Sequence, residues 1–198
     1  MERPALREET GMLMERYETE PEHVLHVEVL ALRLYDGLAD WHRLAPVDRL
    51  LLGTAARLHD VGWAVTQPDG NGHHKESARL IRAFAWTSLD PAEVELVALV
   101  ARYHRKSIPM PEHDAYSALA PADRRRVRVL AACLRIGDAL DRRHLQRVHG
   151  VGIAWDERSM EFHVASSDGA AAELAAAEKK ADLLRLESGG EVRFLGSR

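Results

Sequence analysis

One cysteine in 198 residues, Cys133, excludes an internal disulfide and any cysteine-based zinc site. Set in the apolar run Val129-Leu130-Ala131-Ala132-Cys133-Leu134, it reads as a small core residue. No apolar run approaches bilayer length, and the opening Met1-Glu2-Arg3-Pro4-Ala5-Leu6-Arg7 has no signal-peptide stretch. The expectation is a cytoplasmic protein without membrane contact. Internal repeats are missing, as are low-complexity tracts beyond one run of alanines. A basic excess is missing too: the net charge of -4 argues against general nucleic-acid binding. The average hides a local bias, because eight arginines face three aspartates between Pro121 and His149, with Arg102, Arg105 and Lys106 nearby. Arg124, Arg125, Arg126 and Arg128 read as a solvated helix face, whereas Arg142, Arg143, His144 and Arg105 suit an anion-binding rim.

What is present is an ordinary globular composition, 46% hydrophobic and 29% charged, long enough for one good core and a small appendage. The pattern predicts a mainly α architecture: a helical bundle over residues 1–147, followed by a small β-β-α-β appendage over 148–198. A short helix is expected from Leu6 to Tyr17. The next opens at Thr19-Glu20-Pro21-Glu22 with a capping box and is apolar on nearly every side. Helical stepping puts His23 on one stripe with Val27, Leu30 and Leu34, and puts His26 with Glu22, Arg33 and Gly37. A one-residue register error would exchange the two, so His26 stays open as the alternative.

The apolar helix from Leu50 to Leu58 delivers His59 and Asp60 and is expected to stop at Gly62, a glycine suited to a left-handed terminus. The turn formers Gln67-Pro68-Asp69-Gly70-Asn71-Gly72 then lead into His73 and His74. Asp90 and Glu93 form a second capping box on a helix that ends at His104. From Pro121 a long helix carries Val127, Leu130, Ala131 and Leu134 on one stripe, and Asp138 continues it. An aspartate there is costly to desolvate unless a cation or donor meets it. Asp141 lies further round the helix, beside Arg142.

Two imidazoles and two carboxylates, from His23, His59, Asp60 and Asp138, form a mixed nitrogen and oxygen donor set. That favours an octahedral divalent ion such as manganese, magnesium, iron, cobalt or nickel, with positions left for water. Such an ion generates a metal-bound hydroxide and polarises a phosphoryl oxygen, which suits phosphate hydrolysis with Asp60, His73 and His104 as the catalytic groups. His73, His74 and His104 are candidates for a second ion. Lys75, Arg105 and Arg142 are candidates for phosphate binding. His42, His113, His144, His149 and His163 are read as structural or surface histidines.

The order His23, His59-Asp60, Asp138 resembles the HD-domain phosphohydrolase signature, in which a helical bundle holds one metal through H…HD…D. His73 and His104 stand where some HD proteins place ligands for a second metal. Gly72-His73-His74-Lys75-Glu76-Ser77-Ala78, Arg102-Tyr103-His104-Arg105-Lys106 and Leu134-Arg135-Ile136-Gly137-Asp138-Ala139-Leu140-Asp141-Arg142 resemble the C-terminal half of the exopolyphosphatase and guanosine pentaphosphate phosphatase (Ppx/GppA) family. That half also ends in a small strand-and-helix piece, so the resemblance covers nearly the whole chain.

The family's catalytic half, an actin-like ATPase-type pair of domains, has no counterpart in this sequence, so its polyphosphatase activity is not carried over. Several family members lack HD residues, whereas the full set stands here. The resemblance therefore implies a metal-dependent phosphohydrolase acting on a nucleotide or other phosphorylated small molecule, and a homodimer. The rival expectation is a non-catalytic module that binds polyphosphate or a guanosine alarmone, and a third is a dimerisation scaffold with an incidental metal.

Overall fold

The computed structural model describes residues 3–66, 70–167 and 169–197. Its helical body comprises α1 (Pro4–Tyr17), α2 (Pro21–Gly37), α3 (Ala39–His42), α4 (Pro46–Leu58), a 3-10 turn (Val61–Val65), α5 (His73–Ala83), α6 (Pro91–Arg102), α7 (Asp114–Ser117) and α8 (Pro121–Ala139). Strands β1 (Val148–Trp155) and β2 (Ser159–Ser166) follow, then α9 (Ala171–Lys180), α10 (Asp182–Ser188) and β3 (Glu191–Ser197). The mainly α architecture with a C-terminal β-β-α-β piece is therefore as expected, except that its single predicted helix is broken in two at Ala181. No helix among the described residues is long and apolar enough to cross a membrane.

The helices pack because their apolar residues recur at helical spacing. Val24, Val27, Leu30, Ala31 and Leu34 of α2 are all buried, as are Leu51, Leu52, Ala55, Ala56 and Leu58 of α4. Leu96 to Ala101 of α6 and Val129 to Leu134 of α8 are buried on every side, which makes these two helices the centre of the bundle. Gly137 lets α8 approach α2 closely: a side-chain carbon there would lie 3.1–3.3 Å from the Ala31 backbone and methyl group. That approach brings the next residue, Asp138, up to His23.

The sheet has the order β1-β2-β3, with β1 antiparallel and β3 parallel to β2. Alternation buries Met160, Phe162, Val164, Val192 and Phe194 beneath the two helices that cross from β2 to β3. Ion pairs tie this piece to α8: Arg135 grips Asp182 at 2.8–2.9 Å, and Arg128 pairs with Glu187. Arg126 reaches Asp48 at 2.6 Å and Arg125 donates to the His42 carbonyl. The expected solvated arginine face of α8 is thus corrected for Arg125, Arg126 and Arg128, each of which docks a neighbouring element.

Two terminus signals also read differently. The N-cap of α2 is Glu20, with no side-chain cap bond, so Thr19 does not form the expected capping box. Pro21 opens the helix without an N–H to satisfy. Gly62 is not in the left-handed region. It sits inside the 3-10 turn, where a side-chain carbon would come within 2.1 Å of the His73 carbonyl oxygen and 2.5 Å of the Ser77 nitrogen. Its role is close packing against the start of α5. The Asp90–Glu93 box forms as expected, with Glu93 N–H donating to Asp90 at 2.8 Å. Of the predicted turn before α5, residues 67–69 lie outside the described residues, and Gly70 and Gly72 have positive φ.

Candidate metal centre

Five helix ends deliver polar side chains to one point. His23 comes from the first turn of α2, His59 and Asp60 from the end of α4, His73 from the start of α5, His104 from just past α6, and Asp138 from the last turn of α8. All four imidazoles are buried, with exposures of 0–2%. His23 Nε2 lies 3.6 Å and His59 Nε2 3.9 Å from Asp138 Oδ1. Asp60 faces the other way: its Oδ1 lies 3.1 Å from His73 Nε2 and 3.5 Å from His104 Nε2, while its Oδ2 lies 3.6 Å from His59 Nε2. Two sets have donor atoms close enough to share an ion, His23-His59-Asp138 and His59-Asp60-His104.

The second nitrogen of each ring explains why these atoms converge. His59 Nδ1 donates to the Ala56 carbonyl at 2.7 Å, His104 Nδ1 to the Ala101 carbonyl at 2.7 Å, and His73 Nδ1 to the Gly70 carbonyl at 2.9 Å. Each acceptor is three residues back along the chain. At the ends of α4 and α6 carbonyls run short of helical donors, the Ala101 carbonyl taking a long 3.4 Å bond from the His104 N–H, so the histidine rings that follow can claim them. His23 Nδ1 is held instead by Asp141 Oδ2 at 2.8 Å, and Asp141 is fixed in turn by Gln146. With Nδ1 used as a donor, the Nε2 atoms of His59, His73 and His104 turn their lone pairs inward, and His23 Nε2 faces Asp138.

The result is a buried knot of acceptors. His23 Nε2 and His59 Nε2 have no hydrogen-bond partner, Asp60 Oδ1 has only the ring nitrogens of His73 and His104 near it, at 3.1 and 3.5 Å, and the Nε2 atoms of His73 and His104 face each other at 3.3 Å. Buried acceptors aimed at one another are unfavourable unless a proton or cation lies between them. Nitrogen and carboxylate donors in this number fit a divalent ion of borderline hardness.

The protonation pattern agrees. Burial pushes the carboxyls of Asp60 and Asp138 up, yet the surrounding imidazoles hold both far below the usual carboxylate range. Burial likewise drives His104 well below the ordinary histidine value. His23 goes the other way: burial opposes its charge, but Asp138 and Asp141 on either side of the ring outweigh that and raise it to about 10. A cation binding at His23 Nε2 therefore competes with a tightly held proton.

The knot forms the floor of an open cleft of about 450 Å³, a size suited to a small-molecule ligand. Asp60, His73, His104 and Asp138 lie at its base, Trp63 and His144 at its sides, and Arg105, Lys106, Arg142, Lys179 and Lys180 around it. Arg105 Nη1 lies 3.3 Å from both nitrogens of His73. Lys180 Nζ donates to the His104 carbonyl at 3.2 Å, and burial lowers its pKa to about 8.

Of the residues expected from sequence, His23, His59, Asp60, Asp138, His73 and His104 are brought together, and Arg105 and Arg142 line the cleft. Three are not brought in. Lys75 is exposed on α5 and does not line the cleft. His74 is buried but belongs to neither donor set, its ring centre 5.9 Å from that of His73. His26 is half-buried on the side of α2 that faces Val148, which leaves His23 as the inward histidine. Arg143 pairs with Glu173 at 2.7–2.9 Å.

Sequence reasoning missed three contributors, Asp141, Lys179 and Lys180, and read a fourth, His144, both as part of an anion-binding rim and as a structural or surface histidine. Asp141 was visible in principle, because it follows Asp138 at the spacing that puts two residues on one helical face. His144 stacks on His23 with ring centres 3.7 Å apart and pairs with Glu20. It sits at positive φ, which no local pattern announces. Lys179 and Lys180 reach the cleft only because α9 docks against α8.

Comparison with known families places this geometry in context. The family described as Ppx/GppA phosphatase, domain III matches residues 6–183, a span that contains every residue of the cleft.

Proposed function

Since the chain belongs to the Ppx/GppA phosphatase domain III family, we propose that it is a metal-dependent phosphohydrolase of HD type acting on a nucleotide or another phosphorylated small molecule. The observation that carries this reading is the set of four Nδ1-anchored imidazoles whose Nε2 atoms meet two ionised carboxylates on the floor of a cationic cleft. In this reading His23, His59 and Asp138 hold one divalent ion. Asp60, turned with one oxygen toward His59 and the other toward His73 and His104, serves the first ion and a second. Bound there, such ions supply Lewis acidity toward a phosphoryl oxygen and make water nucleophilic at neutral pH.

The rest is the work of the chain's own groups. Five cations, Arg105, Lys106, Arg142, Lys179 and Lys180, surround a cleft floored by only two carboxylates, so the cleft selects an anion carrying several charges. Arg142 and Lys106 are exposed and meet the ligand in water, whereas Lys180 is half-buried and holds its ammonium where screening is weaker. Arg105 lies against the His73 ring, close enough to touch the same phosphoryl group that His73 faces. Asp141 holds the His23 ring in the tautomer that binds a cation.

The test is release of phosphate or pyrophosphate. Protein loaded in turn with manganese, magnesium, iron, cobalt or nickel is incubated with nucleotides, p-nitrophenyl phosphate esters and polyphosphate. The reading predicts turnover with at least one pair, abolished in Asp60→Asn. Tight binding of polyphosphate or an alarmone with no release under any metal would instead identify a binding module that uses the same cationic cleft.

A further inference from the structure

The cleft has a tryptophan in its wall, and phosphate chemistry alone gives that residue no task. Trp63 lines the cleft together with His73 and is 38% exposed. Trp41 and Trp86 pack against the hydrophobic core, whereas Trp63 does not. Its support lies at the site itself. The indole stacks on the His73 ring, with ring centres 4.4 Å apart and planes inclined by 25°. A side-chain carbon at Gly70 would fall 1.7–2.5 Å from three atoms of the indole's six-membered ring, so the glycine makes room for it.

His73 and Gly70 back the same side of the indole, because His73 Nδ1 donates to the Gly70 carbonyl at 2.9 Å. The exposed area therefore belongs to the side turned away from His73. Tryptophan gains most of its stability from burial, and this one is held in place with an open face. Next to it stand groups suited to a phosphate: Arg105 Nη1 lies 3.3 Å from both nitrogens of His73. A flat apolar surface beside such cations matches a ligand that has both an anionic end and a planar ring. Polyphosphate has no part that gains from an indole, whereas every nucleobase has a face that stacks. A base on the open side would lie about 8 Å from the His73 ring, adding one contact distance of roughly 3.5 Å to the observed 4.4 Å. A ribose and its 5′-oxygen bridge that span.

We propose that Trp63 is a specificity-determining residue of the cleft, on which the base of a nucleoside phosphate stacks while its phosphoryl end lies at His73 and Arg105. This rests on the phosphate-binding reading of the cleft and narrows it to ligands that carry a nucleobase. Stacking on an aromatic side chain tolerates any base. Trp63 therefore selects nucleotides over polyphosphate and sugar phosphates without selecting one nucleotide from another.

The experiment compares adenosine monophosphate with ribose 5-phosphate, which carries the same sugar and phosphate without a base, in the presence of Mg2+. Equilibrium dialysis gives the affinity for each intact ligand and tryptophan fluorescence reports stacking, for wild type, Trp63→Phe and Trp63→Leu. Thermal melting serves as the fold control. Wild type is expected to bind the nucleotide about 10–100-fold more tightly than the sugar phosphate, the margin of one stacked base, with quenching of its indole emission. Trp63→Leu should lose both the margin and the quenching while binding ribose 5-phosphate as wild type does, and Trp63→Phe should keep part of the margin. A wild type that binds the two ligands equally, or a Leu variant that keeps the full preference, overturns the proposal. In both cases binding of ribose 5-phosphate leaves the phosphohydrolase reading standing. If wild type binds neither ligand, the phosphate-binding reading fails and this one falls with it.

Discussion

Replacing Gly62 by alanine probes how the centre is built, because the new methyl carbon would sit 2.1 Å from the His73 carbonyl oxygen, 2.5 Å from Ser77 N and 2.8 Å from Ser77 Oγ. Two of these atoms are backbone in the first turn of α5, and ordinary contact is about 3.5 Å, so the 3-10 turn and α5 must separate by on the order of 1 Å. Overpacking of this kind costs about 1–3 kcal/mol. The separation also stretches two bonds that bridge the elements, Gly62 N–H to Ser77 Oγ at 2.9 Å and Ser77 Oγ to the His59 carbonyl at 2.6 Å, for about 1 kcal/mol more. The sum, about 2–4 kcal/mol, corresponds to a melting temperature lowered by roughly 5–15 °C for a chain of this size.

In the phosphohydrolase reading activity should fall as well, by about 100-fold, because His73 moves with α5 and a 1 Å misplacement at a reacting centre costs that much. Asparagine at the same position separates this account from the helix-terminus alternative. A left-handed site tolerates asparagine better than alanine, whereas a crowded site rejects the larger residue more strongly. Calorimetry giving Gly62→Asn a melting temperature above that of Gly62→Ala would refute the packing argument.

Other outcomes follow from the same geometry. Asp141→Asn frees the His23 ring from its orienting carboxylate and should weaken Mn2+ binding about 10–100-fold without unfolding the protein, as read by equilibrium dialysis. Because Asp138 and Asp141 raise His23 to about 10, metal uptake at pH 7 should release a proton, measurable as a buffer-dependent binding enthalpy. The same proton stabilises the metal-free fold below the unfolded histidine value of about 6.5. That contribution is lost as pH rises toward 10, so the metal-free protein should melt progressively lower from pH 7 to 10.

Much of the centre was legible because each candidate ligand sits where a helical stripe meets a helix end. His23 continues the stripe of Val27, Leu30 and Leu34, and Asp138 that of Val127, Leu130 and Leu134, so the 3.6-residue period alone turned both inward. His59-Asp60 was legible from adjacency at the end of an apolar helix. The unread parts depend on how elements dock. Lys180 belongs to a helix whose own sequence gives no hint that it walls a cleft. Gly62 was assigned to the wrong task because a glycine after a helix suggests a backbone conformation more readily than a contact fifteen residues away. Lys75 lies next to two buried histidines yet faces water, since one residue along a helix is a 100° turn.

Anomalous diffraction from crystals grown with manganese addresses the central claim most directly. The account predicts a peak between His23 Nε2, His59 Nε2 and the Asp138 carboxylate, with a second near Asp60, His73 and His104 as manganese is raised. Histidine rings rotated away from one another, with no peak on the cleft floor, would contradict it.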